Sequence, residues 1–372
     1  MFWSNRNSSA FPRLIGVWLA IALFLGHSGS ARAITVYGNR DPANYTNAPT
    51  GPLAGSGWQW EVIGSSCATV IGPHYVATAR HLGLKPGLVF GYRGLYYEVI
   101  RVVSPDTGDL ALMEVAGVLP NPAPLYTRTN EVRKTLVLHG RGTPRGDPVY
   151  GPPPDGTELR GWKWGRNDIL LRWGTNRVEA VYEAQPSDGI TGSYLVAYFS
   201  NRGGADLGTL TVGDSGGGAF IRDTDGKWKL AGVNYAVEAQ FRTSADGGDF
   251  SAALFDRRGF YEYDNTVPGW ILDPTQSSEP RTAMYLTRIS SNVDWIQTQF
   301  DRPPDAPWPH LEMATAVEGP YIEATAYSLR TGSHEIQTAV PAGTEFFRVT
   351  SETAVQLHPP VLKDGILTFT YE

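Results

Sequence analysis

The sequence predicts an all-β protein. Three observations carry that reading. The chain holds 42 glycines and 27 prolines, 12% of its residues are aromatic, and its apolar runs are short and end at Gly, Pro or Asn. Charged residues make up only 18%, too few for a coiled coil or a solvated disordered chain, and 41% apolar residues suffice for a buried core. A length of 372 residues suggests two or three structural units.

Residues 1–33 contain no acidic side chain. Arg6 and Arg13 precede an apolar run from Leu14 to Leu25, and a small-residue stretch follows, ending Ala31-Arg32-Ala33. Basic flank, apolar centre and Ala-x-Ala site are the parts of a secretory signal peptide cleaved after Ala33. The run is shorter than the roughly 20 residues that span a bilayer, so no membrane association is expected after cleavage. Removing three arginines and no acid takes the formal charge from −6 to −9. The expected location is the periplasm or the extracellular medium.

From residue 34 to about 300, strand-like runs follow one another, among them Ser66-Cys67-Ala68-Thr69-Val70-Ile71, Tyr75-Val76-Ala77-Thr78-Ala79 and Leu110-Ala111-Leu112-Met113-Glu114-Val115. Strands at this spacing without helices between them indicate a β-sandwich or barrel. One helix is predicted over residues 292–300, where Val293, Ile296 and Phe300 recur at intervals of three and four. Residues 303–309 form a Pro-rich spacer, and residues 310–372 read as a small separate β module.

Several classes are excluded. Cys67 is the single cysteine, so there is no internal disulfide, and no Cys/His cluster or His-Glu-x-x-His spacing offers a metal site. The acidic balance argues against nucleic acid. Trp162-Lys163-Trp164 and Arg172-Trp173-Gly174-Thr175-Asn176-Arg177 interleave bases with aromatics, a pattern read here as hairpin packing with exposed Arg edges.

Three motifs carry chemistry. Val76-Ala77-Thr78-Ala79-Arg80-His81 delivers a His at a strand end, Thr107-Gly108-Asp109-Leu110-Ala111-Leu112 opens a strand with an Asp, and Gly213-Asp214-Ser215-Gly216-Gly217-Gly218 sets a Ser in a glycine-rich turn. A Ser hydroxyl becomes a nucleophile when a His accepts its proton. The His needs a carboxylate on its other ring nitrogen to fix the tautomer and stabilise the imidazolium. Glycines around Ser215 permit a turn aiming the Gly213 and Ser215 N–H groups at one oxyanion, each donor worth roughly 3–4 kcal/mol in the transition state. Asp109 is preferred to Asp106 because it directly opens the Leu-Ala-Leu strand. His27, His74, His139, His310, His334 and His358 lack any comparable setting.

In this order, the motifs resemble those of the trypsin/chymotrypsin-like serine proteases, of the secreted bacterial type. Tyr285-Leu286-Thr287-Arg288-Ile289-Ser290-Ser291-Asn292-Val293-Asp294-Trp295-Ile296 resembles that family's last strand and C-terminal helix, and Leu230-Ala231-Gly232-Val233 its substrate-flanking strand. The resemblance covers residues 34–302. It implies two antiparallel six-stranded β-barrels with a cleft between them and a serine endopeptidase of protein or peptide substrates. The implied triad is His81, Asp109 and Ser215, with Gly213 and Ser215 as the oxyanion hole and no cofactor or metal. The C-terminal module is then free to bind a cell-surface ligand.

The chain departs from the family in places. Only 28 positions separate His81 from Asp109, implying a trimmed loop, and Leu82 stands where a Cys would pair with Cys67, which is read as a small buried residue. By offset from Ser215, Thr209 would form the substrate-pocket base, with Leu210 and Val212 on its wall. A neutral base disfavours strict cleavage after Lys or Arg. The segment from Asn234 to Ser278 is long enough to reshape that pocket. In the family the acid before the nucleophile pairs with a freed N-terminus, which here assigns Asp214 to Ile34 once the leader is removed.

Two rival readings stand beside this one. Gly-x-Ser-x-Gly is also the nucleophile elbow of α/β-hydrolases, but that fold needs helices between strands and a His after the Ser, and only His310, His334 and His358 follow Ser215. The other is a secreted binding protein that keeps the protease fold without activity.

Overall fold

The computed structural model describes residues 34–38, 45–62, 64–152, 156–166, 168–184, 191–264, 269–274, 280–302, 308–340, 343 and 345–372. The predicted leader, residues 1–33, and most of the predicted spacer, residues 303–307, lie outside them. At 45% strand and 6% helical the protein is all-β, as its composition predicts.

A five-stranded antiparallel sheet runs Thr69–Val70, Tyr75–Ala79, Leu110–Val115, Leu95–Val103, Val89–Tyr92. A seven-stranded antiparallel sheet runs Arg172–Arg177, Thr135–Gly140, Gly218–Arg222, Trp228–Val237, Ala283–Arg288, Gly192–Tyr198, Ala180–Ala184. Among the described residues no sheet closes into a barrel, and one curls into a half-barrel.

Every residue of the Leu110–Val115 strand is buried. Side chains alternate across a strand, so Leu110 and Leu112 face one way and Met113 and Val115 separate from them into another core. Leu110 and Leu112 join Ala77, Leu138, Phe220, Leu230, Val233 and Leu286 in a core shared by the two sheets. Met113 and Val115 pack with Val76, Phe90, Tyr97 and Val99 behind it. A one-residue slip in register would exchange these two sets, so burial on both faces fixes the pairing that places residues 79–81 beside residue 109.

A six-stranded sheet, in the order Gly269–Leu272, Tyr261–Asp264, Gln240–Arg242, Phe250–Leu254, Leu159–Trp164, Arg145–Tyr150, draws four of its strands from the long segment after Asn234. The helix Val293–Phe300 buries Ile296, and Phe300 stacks on Tyr75 with ring centroids 5.2 Å apart. Tyr75 also donates its hydroxyl to the Gln299 carbonyl at 2.7 Å, tying the helix to the five-stranded sheet.

The C-terminal strands form two sheets. In one of them Tyr327–Arg330 pairs with Gly117–Val118 from the N-terminal half. Ala116 and Val118 share a core with Leu311, Tyr327, Leu329, Ile336 and Phe369, and Thr331 donates both its amide and its hydroxyl to Glu98 at 2.7 and 2.8 Å. Among the described residues no helix is long and apolar enough to cross a membrane.

Candidate active site

The Tyr75–Ala79 and Leu110–Val115 strands pair with Ala79 opposite Leu110, so the residues just beyond that pair meet. The Arg80 amide donates to the Asp109 carbonyl at 3.1 Å, and a single turn, Arg80–Leu82, carries His81 over the carboxylate before Gly83 ends it at φ +60°. The His81 amide donates to Asp109 Oδ1 at 2.8 Å, and His81 Nδ1 lies 2.7 Å from Oδ2. Asp109 is buried, while Asp106 is exposed. A buried carboxylate taking two bonds from one residue fixes the ring's angle and keeps the proton on Nδ1, leaving Nε2 as an acceptor.

Ser215 sits in a turn built by its glycines. The Asp214 amide donates to the Thr211 carbonyl and the Gly217 amide to the Asp214 carbonyl, each at 3.2 Å. Gly213 at φ +98° and Gly216 at φ +85° occupy backbone space that favours glycine. A Cβ on Gly216 would overlap the Cys67 carbonyl and the Thr78 hydroxyl and would reach Leu82 Cδ1 at 3.1 Å. The Ser215 turn is therefore pressed against the segment that carries His81. Among the described residues no acceptor faces the N–H of Gly213 or of Ser215.

Asn234 straps this turn and was not singled out by the sequence reading. It is fully buried. Its carbonyl accepts from the Gly216 amide at 3.0 Å, its amide donates to the Gly217 carbonyl at 2.9 Å, and its Nδ2 donates to the carbonyls of Asp214 and His139 at 3.0 and 2.7 Å. Its one sequence signal is a lone Asn continuing the apolar Leu-Ala-Gly-Val strand. Tyr235, also missed, has its ring 6.0 Å from that of His81 and stacked on Tyr194 at 5.0 Å. Burial pushes its phenol up to about 12, so it stays neutral beside the imidazole.

Asp214 has no exposure. Oδ2 accepts from the amide and hydroxyl of Thr211 at 2.7 and 3.0 Å, and Oδ1 from the Gly142 amide at 2.7 Å and the Ile34 backbone nitrogen at 3.3 Å. Burial pushes the carboxyl up to about 6 in spite of these four donors. Ile34 is 1% exposed and adopts φ +33°, a strained conformation for a β-branched residue.

The residues expected to line a substrate pocket differ in exposure. Thr209 is buried and paired with Thr35, Leu210 lies in the shared core, and Val212 is 67% exposed. A cavity of about 500 Å³ lies elsewhere, lined by Ile34, Tyr45, Arg145, Trp162 and Arg172 among others, and none of His81, Asp109 and Ser215 borders it. Cys67 is buried 3.9 Å from the Gly213 carbonyl, and burial raises its thiol well above the ordinary range, so it supplies no thiolate. Among the described residues no group of three His, Cys, Asp or Glu side chains could hold a metal ion.

No protein-family model matches this chain, and no curated protein matches it either.

Proposed function

We propose that the protein is a serine endopeptidase using a Ser215–His81–Asp109 triad. The observation that carries this reading is the two-bond embrace of His81 by buried Asp109, with Nε2 left to accept, at the strand end against which the Ser215 turn packs. Ser215 Oγ attacks a peptide carbonyl as His81 Nε2 takes its proton, and the oxyanion is met by the Gly213 and Ser215 amides. His81 then gives the proton to the leaving amine, and water cleaves the acyl-enzyme by the same route in reverse. Asp109 holds the ring and stabilises the imidazolium.

On this reading the five-stranded and seven-stranded sheets are the two halves of a chymotrypsin-like architecture. The first contributes His81 and Asp109, the second Ser215, and substrate lies between them. Residues 1–33 direct export and are removed, and residues 310–372 engage a surface ligand. Casein hydrolysis tests the proposal. The mature chain should cleave it, and Ser215→Ala and His81→Ala should each lose activity by at least about 10³-fold with unchanged circular dichroism. A Ser215→Ala protein that cleaves as fast as wild type would overturn it.

A further inference from the structure

Beneath the nucleophile turn lies an acid that the triad does not use. Glu61 is 6% exposed and its backbone bridges to Thr69. Its Oε1 accepts from the Thr69 hydroxyl at 2.9 Å and from the Gly218 amide at 3.2 Å, while Oε2 is buried without a partner. Gly218 is three residues beyond Ser215 and opens the strand Gly218–Arg222. A Cβ there would stand 2.6 Å from Thr69 Oγ1 and 2.8 Å from Glu61 Oε1, so the backbone lies directly on this pair. Trp60, adjacent to Glu61, stacks on Phe220 at 5.4 Å and clamps the same strand.

Resting on the serine-protease reading, we propose that Glu61 is a positioning residue, holding the far end of the nucleophile turn through the Gly218 amide and Thr69. The groups facing it are the Thr69 hydroxyl, the Cys67 thiol, the Tyr92 phenol and the Gly218 amide, and the guanidinium of Arg93, 5.6 Å from the Tyr92 ring centroid, acts on this pocket through Tyr92. Asp214 and the guanidinium of Arg141, which donates to the Gly64 carbonyl, act on this pocket through Cys67. Burial pushes the Glu61 carboxyl up to about 8, so at neutral pH it is the uncharged acid and Gly218 donates to a neutral oxygen. Ionisation puts an unpaired negative charge behind the turn, draws the Gly218 N–H and the Thr69 hydroxyl toward Oε1, and opposes the oxyanion on the turn's other side.

Two readouts test this. In 15N-glycine-labelled protein the Gly218 amide should titrate with a midpoint near 8, and Glu61→Gln should abolish that titration. In kinetics, kcat of wild type should fall about tenfold from pH 7 to about pH 9 at constant KM, as the protonated fraction falls. Glu61→Gln, which keeps an acceptor for Gly218, should remove that alkaline fall, and Glu61→Ala should lower kcat at pH 7 without raising KM. A Gly218 amide that does not titrate, or an alkaline fall that persists in Glu61→Gln, would overturn the proposal. A wild type inactive at every pH would refute the protease reading, and the Gly218 titration would still decide whether Glu61 governs the turn.

Discussion

The backbone nitrogen of Ile34 lies 3.3 Å from Asp214 Oδ1 inside the core, and whether it is an amide or an ammonium sets the sign of the pH dependence of stability. With Ala33 retained the nitrogen is a neutral amide, and burial holds the Asp214 carboxyl at about 6. A folded value above the unfolded one, about 3.9 for Asp, means stability is full below about pH 4 and is lost as pH rises through about 6. That interval corresponds to about 3 kcal/mol. With Ile34 as the N-terminus, an ammonium at the same spacing adds about 5 kcal/mol of attraction at an effective dielectric of about 20, partly offset by its own desolvation. The carboxyl is then drawn below its ordinary range, so its contribution is complete above about pH 4 and is lost as pH falls below that, and stability stays level between about pH 4 and 6 where the longer chain's falls. Above about pH 8, the unfolded α-amino value, the paired amine's contribution is lost as pH passes its raised folded value. Urea unfolding of two preparations, one beginning at Ile34 and one retaining Ala33, measured across this range, reads the slopes directly. Between about pH 4 and 6 a level profile is expected for the chain beginning at Ile34 and a falling one for the chain retaining Ala33; parallel profiles would refute the pairing.

Other perturbations follow from the same geometry. Asp109→Asn should lower kcat by about 10⁴-fold with little change in KM, because the amide favours the wrong His81 tautomer, measured on a chromogenic peptide ester. Gly216→Ala should abolish activity and lower the urea midpoint, since its Cβ has no room between the Cys67 carbonyl and Thr78 at φ +85°. Asn234→Leu leaves the Asp214 and His139 carbonyls without their side-chain donor and should cost about 2–4 kcal/mol in unfolding free energy. Truncation after Arg302 uncovers Ala116 and Val118, and should lower the melting temperature and raise binding of a hydrophobic dye.

The sequence made the all-β class and the meeting of His81 with Asp109 legible for one reason. The Leu110–Val115 strand is apolar except for Glu114 and buried throughout, and it pairs with Tyr75–Ala79 in the register that sets Ala79 opposite Leu110. The helix was legible through Val293, Ile296 and Phe300, whose face packs as its spacing predicts. What stayed hidden depends on partners distant in sequence. Asn234 and Glu61 are single polar residues whose roles come from carbonyls and amides supplied by other strands. Counting back from Ser215 cannot reveal that Thr35 pairs with Thr209, or that Leu210 turns into the core. Gly117–Val118 is too short to show any periodicity, yet it is where the C-terminal strands attach. The grouping of strands into a five-stranded and a seven-stranded sheet likewise reflects non-local pairing that no local pattern encodes.

The central claim is that Ser215 is a nucleophile activated by His81, and covalent labelling tests it most directly. The mature chain is treated with a fluorophosphonate, digested and mapped by mass spectrometry. The expected result is one adduct, on Ser215, absent after His81→Ala and after denaturation. A folded wild type that takes no label, or takes it equally on other serines, would contradict the claim.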